Sequence, residues 1–232
     1  MEVKVKRLDS DSAKNENEIK KIINDFQNNK FQILVGTQIL AKGLNFKNVT
    51  LVGIVNSDLE LYRADFRANE KTFQLLEQVA GRAGRTKELP GEVIIQTYKP
   101  DNYAINYVRE HDYKSFANEE LEYRKTSEYP PYWRMNKIII TGQTEYQVKK
   151  TARLIYNEIY FKSNIIKIYE PIVPSISMLN TKYRQYIFIK SYKEKDKSGN
   201  ALRKLYDLLK NIESNISSNI RIDIDIDTYS EG

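Results

Sequence analysis

The sequence predicts two domains in series: an α/β domain with a largely parallel sheet, then an α+β domain of order βαββαβ. Three observations carry this. Over the first 110 residues, short apolar runs trade places with a 3.6-residue apolar period, the alternation of buried strands with amphipathic helices. From about residue 100 the texture changes: 14 of the 17 tyrosines lie between Tyr98 and Tyr192, which marks a different kind of packing. Past the Pro130–Pro131 pair, which must break a helix, a second set of strands and helices begins.

Taken in order, "VKVKRL" (3–8) alternates like a strand, and a helix follows over 12–28, with Ile19, Ile22, Ile23 and Phe26 on one face. "FQILVG" (31–36) and "VTLVGIV" (49–55) are apolar without alternation, which predicts strands buried on both faces, as parallel sheets require. A helix over 66–84 places Phe73, Leu76, Val79 and Ala80 on one side, and "GEVIIQTY" (91–98) supplies a further strand. A polar helix over 102–126 leads to the prolines and carries the domain boundary, giving domains of residues 1–112 and 113–232.

In the second domain "NKIIITG" is a strand, and Thr144 with Gln147 has the T-x-x-Q spacing of a capping box. The helix so opened buries Val148, Ala152, Ile155 and Ile159. "NIIKIYE" (164–170) and "QYIFIKS" (185–191) read as strands joined by a proline-containing loop. Ser198 can cap a helix burying Leu202, Leu205, Leu209 and Ile212, and "IRIDIDID" closes the chain as a strictly alternating strand.

Composition narrows the chemistry. A net charge of +6 and a pI near 9.1 suit an anionic partner without naming one. There is no cysteine, which excludes disulfides and thiolate metal sites, and one histidine, His111, cannot form an imidazole cluster. No apolar run reaches membrane length and the first residues lack the apolar core of a signal peptide. The expectation is a soluble, cytoplasmic, monomeric protein with no metal site and no membrane partner.

The stretch "QLLEQVAGRAGR" (74–85) holds the strongest chemical signal. On a helix, Gln78, Arg82 and Arg85 share one face, because spacings of four and three stack side chains. Gly81 and Gly84 clear space beside the arginines, and a guanidinium offers permanent charge with planar paired donors, which suits a phosphoryl group. Alone, the pattern reads equally as arginines offsetting a helix dipole, with Gly84 ending the helix. It is not alone. "ILVGTQILAKGLNF" (33–46) sets Thr37 and Gln38 just past a strand, on the carboxyl edge where α/β sheets bind ligands. Taken singly, Thr37 is a helix N-cap and Lys42 a surface charge.

Together, "GTQILAKG" resembles motif V and "QVAGRAGR" motif VI of the second motor lobe of superfamily 2 helicases. Further stretches resemble the bacterial replication-restart DNA helicases, the primosomal protein N′ family: "SDLELYRADFRANEKTFQLL" (57–76), "PGEVIIQTYKPDNYAI" (90–105), "EYPPYWR" (128–134), "KYRQYIFIK" (182–190) and "IDIDID". The resemblance covers almost the whole chain and implies a RecA-like helicase lobe 2 followed by a ribosomal-protein-like C-terminal domain. It implies ATP with magnesium as cofactors and a 3′-to-5′ helicase acting at stalled forks, with Arg85 as the arginine finger and Arg82 beside it. Gln78, Gly43 and Asn45 would border the nucleotide, and Thr37, Gln38 and Lys42 would touch DNA. Asn45 stands where many relatives carry an acid, so it can hydrogen-bond but cannot ion-pair with Arg82. Lys47 and Ala64 stand where prolines are common. The acids of "RLDSDS" (7–12) take no role.

What the chain does not spell matters as much. It has no G-x-x-x-x-G-K-[ST] loop and no D-E-x-x box, so its arginines can sense a phosphate that another lobe must hold. The family's zinc-binding cysteine pairs are absent too, which implies zinc in the full-length protein but not in this chain, and a chain that opens just after them.

In the second domain, Asp223, Asp225 and Asp227 read as the wet face of an edge strand. Tyr132, Trp133 and Arg134 fit either base stacking or packing. Lys182, Tyr183 and Arg184 combine charge with an aromatic, and His111 reads as a surface residue. The resemblance implies forked and single-stranded DNA, the acidic tail of the single-stranded-DNA-binding protein (at Lys182, Tyr183 and Arg184) and primosome loader proteins as partners. The rival reading is a non-catalytic DNA- or protein-binding adaptor that keeps the lobe as scaffold. Another superfamily 2 translocase would share the motifs and lack the second domain.

Overall fold

A computed structural model of the chain describes residues 3–9, 16–37, 46, 48–83 and 91–229. It divides into two units, residues 1–63 with 68–116, and residues 64–67 with 117–232.

In the first unit, β1 (Val5–Leu8) pairs in parallel with β2 (Ile33–Gly36), and α1 (Glu16–Gln27) lies between them in sequence. The four apolar residues expected on α1 are all half-buried, and Phe26 stacks on Phe31 at 5.3 Å and meets Phe46 edge-on at 5.2 Å. Asp25 anchors the end of α1. It accepts from Lys30 Nζ at 2.7 Å with Lys6 at 3.8 Å, and the Lys30 hydrogen bond holds its carboxyl below the usual range. The strand pair β3 (Leu51–Ile54) and β4 (Glu92–Ile95) is also parallel. Between them come a short turn of helix, α2 (Asp58–Leu61), and α3 (Ala68–Ala80). Phe73 and Leu76 of α3 pack with Ala104, Ile105 and Val108 of α4 (Tyr103–Glu110) and with Phe116, whose ring stacks on Phe73 at 4.2 Å.

Three expectations are corrected here. The strands over 31–36 and 49–55 are not buried on both faces: Ile33, Val35 and Leu51 are exposed, and β3 alternates in burial along its length. An unalternating apolar run states that both faces are hydrophobic, not that both are covered. The helix expected over 66–84 ends at Ala80, after which Arg82 and Ala83 donate to the carbonyls of Val79 and Ala80, a tightened final turn. The polar helix over 102–126 is two helices, α4 and α5 (Tyr113–Thr126). His111 adopts a left-handed conformation at φ 52° and its N–H and that of Asp112 close the end of α4.

The second unit centres on a four-stranded antiparallel path ordered β6 (Ile166–Ile168), β8 (Lys182–Tyr192), β5 (Trp133–Gly142) and β9 (Ile220–Asp225). A two-residue strand, β7 (Met178–Leu179), pairs with the start of β8. Helices α6 (Glu145–Ile159) and α7 (Asn200–Glu213) cover one face. There Ile138 and Ile140 of β5 meet Ile187 and Ile189 of β8, and Val148, Ala152, Ile155 and Ile159 of α6 pack against Leu202, Leu205 and Leu209 of α7, as the periodicity predicts. The other face gathers Phe66, Met135, Tyr186 and Phe188. Phe66 reaches this cluster from the short segment 64–67 and stacks on Tyr129 at 5.2 Å.

Both predicted caps differ in detail. Thr144 occupies the N-cap of α6 with extended geometry but makes no side-chain cap bond. At α7 the N-cap is Gly199 at φ 72°, and Asp196 Oδ1 accepts from Ala201 N–H, the capping role expected of Ser198. Asp227 lies past the end of β9 in a left-handed conformation, so only Asp223 and Asp225 share the strand. Asp225 pairs with the buried Lys137 and Asp223 with Arg221, so neither is simply wet.

Candidate functional site

Of the motif residues of the first unit, one is described at the end of a strand, where chain direction puts ligands in parallel sheets. Thr37 is exposed on the bend that follows β2, at its carboxyl end. Gln38, Lys42, Gly43, Asn45 and Arg85 lie outside the described residues. Gln78 is exposed on the last turn of α3, and Arg82 is half-buried one residue past Gly81. Gln78 and Arg82 therefore straddle the end of the helix, with the tightened turn between them.

The end of α3 is fixed from behind. Glu77 Oε1 lies 3.1 Å from His111 Nδ1, which joins α3 to the close of α4. The Phe73–Phe116 stack holds the preceding turn. Gly81 donates its N–H to the Glu77 carbonyl at 3.0 Å, continuing the helical bonding one residue past Ala80. Gln78 and Arg82 are thus presented by a braced helix end, the setting a guanidinium needs to meet a phosphate without reorganising.

The carboxyl edge of the β3–β4 pair is built around Asp58, which is 2% exposed. Its Oδ1 accepts from Thr97 Oγ1 at 2.8 Å and its Oδ2 from Tyr98 N–H at 3.0 Å. Ser57 donates twice to the Gln96 carbonyl, from N–H and Oγ, each at 3.1 Å. These bonds tie the two strand exits together around a cleft of about 130 Å³ lined by Asn56, Asp58, Gln96, Thr97 and Tyr98. Sequence reading gave Asp58 no role. Its only signal is a Ser-Asp pair ahead of a short helix, with no hint of partners 39 and 40 residues away.

In the second unit the three partner-binding residues divide. Lys182 is exposed, Tyr183 turns to the helix-covered core, and Arg184 bonds the Tyr186 hydroxyl with its guanidinium 5.1 Å from that ring. Alternation along β8 separates Tyr183 from its neighbours, as the period of two demands. Tyr183, Arg184 and Gln185 nevertheless line a small hollow of about 90 Å³ with Glu145, Val148 and Val173. The "YPPYWR" residues serve packing. Trp133 is buried against Tyr192 at 5.2 Å, and Arg134 donates to the carbonyls of Asp196 and Lys197 at 2.7 and 2.8 Å. Among the described residues no group of three or more metal-ligating side chains converges, and no helix is long and apolar enough to cross a membrane.

Residues 1–87 match the family model "Helicase conserved C-terminal domain", and residues 125–228 match "Primosomal protein N C-terminal domain". Curated relatives align with most of the chain. The replication restart protein PriA of Bacillus subtilis (strain 168) is 40% identical over 205 residues, covering 87% of this chain and 25% of that protein. The replication restart protein PriA of Rickettsia felis is 41% identical over 188 residues, covering 81% and 28%. That of Rickettsia typhi is 38% identical over 226 residues, covering 97% and 34%. The chain thus spans about a quarter to a third of the length of these relatives.

Proposed function

The chain belongs to the primosomal protein N family, with a helicase conserved C-terminal domain in its first part, and from that membership we propose that it supplies one half of an ATP-driven DNA motor. Residues 1–112 act as the second motor lobe and residues 113–232 as the C-terminal domain of a 3′-to-5′ helicase that restarts stalled replication forks. The observation that carries the reading is the tandem of the two family matches on one chain, beside the 40% identity to a replication restart protein over 87% of it.

In this reading ATP and magnesium are held mainly by the first lobe, for which this chain has neither phosphate loop nor D-E-x-x box. Arg85 reaches the γ-phosphate and stabilises charge that develops in transfer, with Arg82 beside it and Gln78, Gly43 and Asn45 bordering the nucleotide. Thr37, Gln38 and Lys42 touch the DNA backbone, so that hydrolysis and strand movement share one loop. The braced end of α3 supports the arginine role, because a finger must be held in place before charge develops. Lys182 and Arg184 supply charge, and the hollow beside Tyr183 an apolar seat, for the acidic tail of a single-stranded-DNA-binding protein. Zinc, the primosome loaders and a cytoplasmic setting follow from the same reading of the full-length protein.

The experiment is an ATPase assay on two samples. The purified 232-residue chain is expected to hydrolyse no ATP, with or without DNA, and steady DNA-stimulated turnover by it would sink the half-site reading. In the full-length helicase bearing this segment, Arg85→Ala should abolish hydrolysis and spare DNA binding. Turnover retained there but lost in Arg82→Ala would move the finger to Arg82.

A further inference from the structure

Two tyrosines on the first unit stand out in water beside a cation. Tyr98 is 84% and Tyr62 63% exposed, and Lys99 Nζ lies 4.8 Å from the Tyr62 ring centroid. Among the described residues no carboxylate comes within ion-pairing distance of Lys99. Exposed aromatic rings on a loose loop mean little, but the backbone that carries these is held. The buried Asp58 ties it at two points: its side chain takes the Tyr98 N–H, and its backbone carbonyl takes the Tyr62 N–H at 3.1 Å. It also orients the Thr97 hydroxyl, which accepts from Lys99 N–H at 2.9 Å. Asp58 thus ties the backbone from which Tyr62, Tyr98 and Lys99 project at the carboxyl edge of the β3–β4 pair, beside a cleft lined by Asn56 and Gln96.

We propose that Tyr62, Tyr98 and Lys99 form a contact for single-stranded DNA, in which unstacked bases lie on the tyrosine rings and Lys99 meets a phosphate. This rests on reading the first unit as a DNA-translocating lobe, and it adds a contact outside the loop at Thr37. Aromatic faces accept any unpaired base, whereas a duplex buries its base faces in its own stack. A backbone already held in place lowers the ordering cost of binding. The polar cleft and the ammonium beside the Tyr62 ring favour a nucleic acid over an apolar protein surface.

The test is fluorescence anisotropy of a labelled oligo-dT strand with the 232-residue chain across a salt series, with a matched duplex as control. Tyr62→Ala and Tyr98→Ala should each weaken strand binding about fivefold or more and leave duplex binding unchanged, and Tyr98→Trp should restore it. Lys99→Ala should flatten the dependence of log affinity on log salt by about 0.7. Near-UV circular dichroism establishes that each variant keeps its fold. Strand binding equal to wild type in both tyrosine variants overturns the proposal. So does a parallel loss of strand and duplex, which is charge without stacking, or a wild-type chain with no affinity for the strand, which leaves the rings to a protein surface. The lobe reading is judged separately by the Arg85→Ala hydrolysis assay, so either can fall while the other stands.

Discussion

Replacing Asp58 tests how the carboxyl edge of the first unit is held. Asp58→Ala removes two acceptors and leaves the Thr97 hydroxyl and the Tyr98 N–H without partners. Hydrogen bonds to a charged group contribute about 1.5–3 kcal/mol each, so the two together are worth about 3–6 kcal/mol. The lower end applies, because the cleft that Asp58 lines lets water reach the freed groups. Asp58→Asn keeps one oxygen and opposes the other position with an N–H pair that the Thr97 oxygen, already bonded to Lys99 N–H, receives poorly. Its loss should be about 1 kcal/mol. Amide hydrogen exchange reads this locally. The Tyr98 amide should exchange about a hundredfold faster in Asp58→Ala, and only severalfold faster in Asp58→Asn, while amides of the second unit are unchanged. Equal exchange at Tyr98 in wild type and Asp58→Ala would refute the assignment of Asp58 as the anchor.

Other outcomes follow from the second unit. Phe66→Ala should destabilise that unit by about 3–5 kcal/mol and accelerate exchange in β5 and β8, although position 66 lies fifty residues earlier in the chain than the rest of it; urea unfolding followed by Trp133 fluorescence measures the loss. Tyr206 is pushed up to about 12 by burial and then by the Asp227 charge, and among the described residues its buried hydroxyl has no hydrogen-bond partner. Tyr206→Phe should therefore raise stability by about 1 kcal/mol near neutral pH. Because the folded value is raised, the wild-type chain should lose stability as pH climbs from about 10 towards 12, a loss the phenylalanine variant lacks. Lys137 runs the opposite way: burial lowers it, with the Asp225 charge pulling back up. The unfolded chain then binds more protons across that window, so wild type should gain stability relative to Lys137→Met as pH rises towards 10.5, and equal slopes in parallel denaturation series would contradict this.

The parts of the fold that local pattern controls were legible in the sequence. The buried faces of α6 and α7 follow from spacing alone, since Val148, Ala152, Ile155 and Ile159 recur at helical intervals and all reach the core. The parallel pairing of β1 with β2 and β3 with β4 follows from strand–helix alternation. What stayed hidden depends on partners far away in sequence or on conformations that no residue type announces. The break at His111 uses a left-handed histidine where no glycine or proline marks it. Asp196, three residues before the N-cap, takes the bond expected of Ser198, a reach that the N-cap pattern does not announce. The two-residue strand β7 is too short to show a period. At the candidate site, Gln78 and Arg82 were readable as a motif, but the bracing of their helix end by Glu77 and His111 was not, since it joins positions 34 residues apart. Asp58 was missed for the same reason.

The short excursion of residues 64–67 bears on how such chains can be cut and recombined. The polypeptide crosses from one unit to the other after Arg63, returns after Arg67, and crosses again after Phe116. Its two modules are therefore interleaved and cannot be separated at any one peptide bond. A C-terminal piece begun at residue 117 would lack the ring that stacks on Tyr129 beside Met135, Tyr186 and Phe188. Exchanging either module between relatives would transplant four residues from the middle of the other, so "ADFR" and the tyrosine it covers should be inherited as one unit even though 61 residues lie between them.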